Sequence, residues 1–89
     1  MIINGQKYRV LENYKNALDE EQVKAKFTDY FEKYDYVIGD WAFGSLRLKG
    51  FCKPSNKIFN KINDFKTKDE YLKEHCVIDC KYFILEKED

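Results

Sequence analysis

The feature that most constrains the fold is a pair of alternating segments separated by a turn. Residues 34–41 read YDYVIGDW and residues 46–51 read LRLKGF, with Phe43 and Gly44 between them. Because successive side chains of a strand point to opposite faces of a sheet, this alternation predicts a β-hairpin around Phe43 and Gly44.

The alternation also predicts the register of the hairpin. Pairing Trp41 with Leu46 places Asp40 opposite Arg47 and keeps apolar and charged side chains on separate faces, whereas a shift by one residue mixes them. The predicted apolar face carries Val37, Trp41, Leu46 and Leu48, and the other face carries Asp40, Arg47 and Lys49.

Two helices are predicted on either side of this hairpin. A capping box of Asp19 and Gln22 opens the first, which extends to about Tyr34. A second capping box, Thr67 and Glu70, opens a short helix that continues through about Cys76. The apolar stripe of the first helix consists of Val23, Phe27, Tyr30, Phe31 and Tyr34.

Strands are also predicted at both ends of the chain. An Asn4-Gly5 turn favours an opening hairpin whose second strand turns Tyr8 and Val10 inward, followed by a loop at residues 13–16. Residues 81–85 are apolar on both faces, which is typical of a strand inside a sheet.

The resulting element order, ββαββαβ, predicts an α+β fold with a mainly antiparallel sheet and two helices. The crossover into the last strand leaves one parallel pairing open. The stretch from Cys52 to Phe65 has no clean period and is interpreted as a long loop. With 89 residues, 44% of them hydrophobic, and no repeat or linker, the chain is expected to form one domain over residues 1–89.

The formal net charge of zero conceals an uneven distribution along the chain. Residues 1–41 carry six basic and eight acidic side chains, and residues 64–89 carry five and eight. Residues 42–63 carry five basic and no acidic side chains, interleaved with phenylalanines. Such a block suits RNA or another polyanion, and equally suits a solvated loop that keeps the protein soluble.

The candidate binding surface combines this basic block with the hairpin. A carboxylate and a guanidinium paired across strands can bind a polar ligand; the alternative is a structural ion pair, with Trp41 in the core and Gly39 making room for it. The predicted surface consists of Asp40, Trp41, Phe43, Arg47, Lys49, Phe51, Lys53, Lys57 and Lys61.

Evidence for catalysis or a cofactor is weak. The chain has one histidine, and neither a phosphate-binding glycine loop nor a serine, histidine and acid order is present. Cys76 and Cys80 fall within zinc-knuckle spacing, but a second knuckle is missing, so buried apolar thiols are preferred to a metal or redox site. No catalytic residue, metal or cofactor is predicted.

The expected cellular compartment is inferred from features that the sequence lacks. The start, MIINGQKYRV, does not have the layout of a signal peptide, and no apolar run is long enough to span a bilayer. Three cysteines, an odd number, fit reduced thiols better than a disulfide framework. A cytoplasmic protein without a membrane partner is expected.

The strings YDYVIGDW and LRLKGF resemble the YutD-like family of small bacterial proteins. The similarity extends to Asp69–Leu72, to Cys76 and Cys80, to Tyr82–Leu85 and to the opening Asn4-Gly5 turn, and is weakest over residues 53–66. The resemblance implies a compact cytosolic α+β domain with no established activity and supplies no catalytic residue.

Together these observations predict a non-enzymatic binding domain. The first hypothesis is an RNA or ribonucleoprotein accessory that uses the basic hairpin and loop. The second is a protein-interaction module without a nucleic-acid role. A small-molecule enzyme, the third, would need a pocket that gathers Asp40, Arg47 and a tyrosine.

Overall fold

The structure is a computed structural model that describes residues 1–75 and 80–88, and eight regular elements follow one another within them. They are β1 (Ile2–Ile3), β2 (Gln6–Tyr14), α1 (Glu20–Lys26), α2 (Asp29–Glu32), β3 (Tyr36–Ala42), β4 (Ser45–Phe51), α3 (Lys68–His75) and β5 (Tyr82–Lys87). A 3-10 turn, Phe65–Thr67, leads directly into α3.

The five strands form one sheet in the order β1-β2-β5-β3-β4, and every pairing is antiparallel. The predicted α+β class is therefore confirmed, and the last strand lies inside the sheet as expected. The described residues hold three α-helices, one more than predicted. None of these helices is long and apolar enough to cross a membrane.

The predicted hairpin register is confirmed. Trp41 pairs with Leu46 and Asp40 with Arg47. The turn has positive φ at both central residues, 53° at Phe43 and 75° at Gly44, as a two-residue hairpin turn of type I′ requires.

Helices cover both faces of the sheet, and each face has its own apolar core. The α1 and α2 side buries Ile3, Tyr8, Val23, Phe27, Val37, Leu46, Phe83 and Leu85. The α3 side buries Tyr36, Ile38, Phe51, Leu72 and Ile84. The charged face predicted for the hairpin is thus partly covered on the α3 side: Asp40 is buried, Lys49 is half-buried and Arg47 remains exposed.

The prediction of one helix from Asp19 to about Tyr34 is wrong, because the chain forms two helices there, α1 and α2. Asp19 caps α1 as expected, its carboxylate accepting from the Gln22 amide at 3.2 Å. The helix ends at Lys26, and Phe27 and Thr28 are extended. Thr28 is β-branched and loses side-chain freedom in a helix, so the backbone breaks there and α2 restarts at Asp29.

The helix predicted after the long loop is α3, and it begins differently from the prediction. Asp64 precedes the 3-10 turn, and its carboxylate accepts from the Lys66 amide at 3.0 Å. The Thr67 hydroxyl donates to the Asp64 carbonyl at 2.7 Å, so the Thr67 capping box is wrong. Asp64 and Thr67 are both residue types that cap helices, and the first one in the chain takes this position.

The N-terminal hairpin is confirmed, with positive φ at Asn4 and Gly5. Strand β2 is longer than expected and continues through the predicted loop to Tyr14. Its pairing with β5 shifts register just after Val10, and Val10 is exposed rather than buried. A bulge of this kind cannot be read from alternation.

Strand β5 lies against β3 through an aromatic ring that occupies the space above a glycine. Gly39 pairs with Phe83, and a Cβ at Gly39 would lie 2.1 Å from the Phe83 ring. Gly39 therefore makes room for Phe83, not for Trp41 as the sequence suggested.

We expect Gly39→Ala to lower the free energy of unfolding by about 1–3 kcal/mol, because the added methyl overpacks the ring of Phe83. Urea unfolding followed by circular dichroism measures this. Ser45→Ala on the exposed end of β4 is the control and should change stability little. Equal stabilities for the two variants would contradict the assignment.

Candidate functional site

The tip of the β3–β4 hairpin carries an aromatic side chain that is almost fully exposed. Phe43 is 99% exposed, and its φ of 53° lies in the left-handed region. Bulky residues rarely adopt that region, where glycine and asparagine are favoured. Among the predicted surface residues, Phe43 is the one presented most fully to solvent.

Asp40 and Arg47 form an ion pair in which the carboxylate is buried and the guanidinium is partly exposed. Asp40 is 1% exposed, and the Arg47 guanidinium donates to both carboxylate oxygens, from Nε at 3.2 Å and from Nη2 at 2.5 Å. The same Nη2 donates to the His75 carbonyl at the end of α3, at 2.9 Å. The hydrogen bond to Asp40 raises the pKa of Arg47. The Asp40 carboxylate is therefore covered, while the Arg47 side chain stays 43% exposed, as suits the structural ion pair that the sequence offered as an alternative.

Trp41 has a structural role. It packs at the edge of the apolar core on the α1 side, and its indole Nε1 donates to the Ala17 carbonyl at 2.8 Å. The Lys81 ammonium lies 5.0 Å from the ring centroid. A half-buried ring with its donor satisfied has little left to offer a ligand.

Phe51 and Lys49 lie on the face beneath α3. Phe51 is completely buried, so it cannot be part of a binding surface. The Lys49 ammonium lies 5.3 Å from the ring centroid of Phe51 and 5.9 Å from that of Tyr71. Lys49 is therefore held near the surface by the aromatic side chains below it.

The three remaining lysines do not extend this face as one basic surface. The Lys53 ammonium lies 3.8 Å from the Glu86 carboxylate. Lys57 and Lys61 are exposed in the loop before α3. The structure thus ties Arg47 and Lys53 to carboxylates, and the basic block is partly neutralised by other segments of the chain.

A groove of about 480 Å³ lies along β4 and was not predicted. Aromatic residues of the α2 segment form one wall, and residues of the loop and of α3 form the other. The groove is lined by Tyr30, Phe31, Tyr34, Arg47, Leu48, Lys49, Gly50, Asn60, Ile62, Asn63 and Tyr71. It gathers Arg47 and tyrosines, but Asp40 is not among its lining residues, so the pocket required by the enzyme hypothesis is not formed by this groove.

Two side-chain contacts position the α2 wall of the groove. The hydroxyls of Tyr30 and Tyr34 lie 2.9 Å apart, and this hydrogen bond, with burial, raises the pKa of Tyr34 to about 12. The Tyr34 ring lies so close to Gly50 that a Cβ there would be 2.3 Å from it. The groove therefore depends on a glycine in β4.

The opposite wall is built by asparagine turns. The Asn60 side chain accepts from the Ile62 and Asn63 amides, and the Asn63 side chain donates to the Ile58 carbonyl. These contacts hold Ile62 outward, 76% exposed. The asparagines were the sequence signal for this wall, since their side chains mimic backbone turns.

The cysteines give no support for a metal site within the described residues. Cys52 is buried and free, and burial raises the pKa of its thiol. Cys80 is disulfide-bonded, so the expectation of three reduced thiols is wrong for it. No group of three metal-ligating side chains occurs in residues 1–75 and 80–88. Cys76, on which the zinc and redox alternatives depended, lies outside the described residues.

The fold and the groove define a small α+β protein with one antiparallel sheet between helices. Residues 2–86 match the model of the family described as "Putative antitoxin YutD-like". The chain is 38% identical over 87 residues to "Putative antitoxin YutD" of Bacillus subtilis (strain 168), covering 98% of this chain and 96% of that one. The chain therefore belongs to the YutD-like family, and the resemblance seen in the sequence is confirmed.

A solved structure supports the architecture. The solution NMR structure of protein yutD from B. subtilis superposes with a TM-score of 0.81 at 38% identity. The match covers 99% of this chain and 80% of that chain.

Replacing Arg47 tests its ion pair with the buried Asp40. Arg47→Met leaves the Asp40 carboxylate buried without its partner, so we expect the free energy of unfolding to fall by about 2–4 kcal/mol. The matched control is Lys53→Met, which removes a longer, more exposed pair and should cost less than about 1 kcal/mol. Chemical denaturation of both variants gives the comparison, and similar losses would show that the Asp40 pair is no stronger than a surface one.

Glu86 makes stability depend on pH. Burial pushes the pKa of its carboxyl up, but hydrogen bonds from Arg9 and Tyr36 outweigh burial and lower the pKa below 4.5. A lowered folded-state pKa adds stability above about pH 4.5, which is lost as the pH falls through the folded-state value.

We therefore expect Glu86→Gln to be less stable than the wild type at pH 7 and to lose less stability on acidification. Arg9→Met, which removes one of the two donors, should flatten the profile in the same direction. Urea titrations at a series of pH values measure both, and parallel profiles for the wild type and Glu86→Gln would refute the role of Glu86.

Proposed function

We propose that this chain is a non-enzymatic protein-binding domain whose β3–β4 hairpin contacts a partner protein. The observation that carries the proposal is Phe43, an aromatic side chain fully exposed at the hairpin tip. Exposed aromatic side chains are common anchors of protein interfaces.

The backbone at Phe43 strengthens the argument. A bulky residue with a φ of 53° costs about 1 kcal/mol relative to glycine or asparagine. Folding gains nothing in return, since the ring is 99% exposed and buries no area. A residue that costs stability and contributes no packing is best explained by a contact outside the chain.

The charges favour a protein partner over RNA. Binding to a phosphate backbone needs several uncommitted cations. Arg47 is bound by Asp40, and the Lys53 ammonium faces Glu86. Among the predicted basic residues this leaves Lys49, Lys57 and Lys61, a small number for a polyanion site.

The name of the relative supports one class of partner protein, a toxin. "Putative antitoxin" describes a protein that neutralises a toxin. We infer by analogy that this chain binds a protein toxin and does so without chemistry of its own. The cytoplasmic location of this chain stays a prediction.

The test is capture of partners from a native lysate with and without nuclease. Immobilised chain is incubated with lysate, and the bound proteins are identified by mass spectrometry. A partner that persists after nuclease and in high salt supports the proposal. Partners that all disappear after nuclease would instead support the RNA hypothesis, which titration of labelled single-stranded RNA at low salt would then quantify.

Phe43→Asn separates stability from binding. Asparagine tolerates the left-handed region, so we expect the variant to be more stable by about 1 kcal/mol and yet to capture less partner. Ser45→Asn, which introduces the same residue two positions further on, is the control and should leave capture unchanged. Undiminished capture by Phe43→Asn would exclude the hairpin tip from the interface.

A further inference from the structure

Strand β4 is an edge strand, and half of its backbone groups point away from the sheet. In an antiparallel pair, hydrogen-bonded positions alternate with positions whose N–H and C=O face outward. The two-residue turn makes Ala42 and Ser45 a hydrogen-bonded pair. The outward-facing positions of β4 are therefore Leu46, Leu48 and Gly50.

Both ends of this edge are already occupied. The Leu46 carbonyl accepts from the Lys26 ammonium at 2.6 Å. Just beyond β4, the Cys52 amide donates to the Asn63 carbonyl at 2.7 Å and the Cys52 carbonyl accepts from the Phe65 amide at 3.2 Å. These contacts confirm the direction of the outward groups, and the segment around Asn63 already pairs with the edge in parallel.

The middle of the edge is unpaired, with Leu48 half-buried and Gly50 buried beside the Tyr34 ring. The N–H and C=O groups of Leu48 and Gly50 have no hydrogen-bond partner in residues 1–75 and 80–88. Both residues line the groove of about 480 Å³. Unpaired edge groups at the floor of a groove form a template onto which another strand can add.

Each wall carries one large, exposed side chain. Tyr30, at the α2 wall, is 54% exposed, and Ile62, at the opposite wall, is 76% exposed. Side chains of an added strand would alternate between the two faces of the sheet. Those on the α1 and α2 side would meet Leu48 and the tyrosines, and those on the α3 side would meet Arg47 and Lys49.

The positive charge of the residues lining the groove favours an acidic occupant. Arg47 and Lys49 are the charged residues that line the groove, and no carboxylate is among its lining residues. Glu70 and Glu74 of α3 line a neighbouring concavity of about 420 Å³ instead. An acidic side chain on the α3 side would be paired with Lys49, whereas a basic one would be repelled.

We propose that an extended segment of a partner protein, with alternating acidic and apolar side chains, adds to β4 as a sixth strand. The inference rests on the proposed function, since it names how the protein partner is recognised. The backbone of Leu48 and Gly50 supplies the hydrogen bonds, the α2 wall receives the apolar side chains, and Lys49 receives the acidic ones.

The experiment uses a short capped peptide in which glutamate alternates with valine. Two variants differ in the Leu48 amide: Leu48→Pro removes the outward N–H, and Leu48→Ala keeps it while also losing the leucine side chain. Proline is tolerated at an edge position whose N–H faces outward. Binding is followed by NMR on the labelled chain, with the Gly50 amide as the reporter.

We expect the peptide to bind Leu48→Pro at least about tenfold more weakly than Leu48→Ala. A peptide with lysine in place of glutamate should lose at least about as much on the wild type. If Leu48→Pro does not fold, the same peptide N-methylated at alternate positions tests the backbone bonds on the wild-type chain, and it should not bind. Equal binding by both variants, or by both peptides, overturns the inference.

Two further outcomes also contradict it. If the chain itself forms a dimer that Leu48→Pro dissociates, the occupant of the edge is a second copy. If a captured partner is lost with Phe43→Asn but kept with Leu48→Pro, the protein-binding function stands and the edge is not used. Peptide binding at the edge without any captured protein would instead support strand addition to β4 and contradict the proposed function.

Discussion

The sheet is held together by its last strand. Strands β1 and β2 form one hairpin, β3 and β4 another, and the two hairpins do not pair with each other. Strand β5 lies between them and bonds to both β2 and β3. Its side chains supply both cores, Phe83 and Leu85 on one face and Ile84 on the other. The absence of a Cβ at Gly39 lets the Phe83 ring approach β3 closely, so the central pairing of β3 with β5 depends on that glycine.

The hairpin and the class of the fold could be predicted because their signals are local. Alternation over residues 34–51 has one register that separates apolar from charged side chains, and the structure adopts it. The apolar run of β5 likewise identified a strand covered on both faces. Where two local signals competed, as at Asp64 and Thr67, or where apolar spacing continued across a backbone break, as at Thr28, the sequence did not decide the outcome.

The candidate site was less predictable because it depends on contacts between distant segments. Asp40 and Phe51 have the periodicity of a strand with one polar face, and nothing local shows that α3 covers that face. The groove forms only when α2 and the asparagine turns come to either side of β4. Of the predicted residues, Phe43 and Lys49 remain in the proposed interface. Tyr30 and Ile62 were not predicted, because only the fold brings them to the groove beside β4.

Arg47 is shared between the strand edge and a helix. Its guanidinium holds the Asp40 carboxylate and also the last carbonyl of α3, at His75. These two bonds are unequal. A buried carboxylate left without its partner costs about 2–4 kcal/mol, whereas a carbonyl in an exposed position can bond to water instead. An anion that competes for Arg47 would therefore displace the helix and not the aspartate.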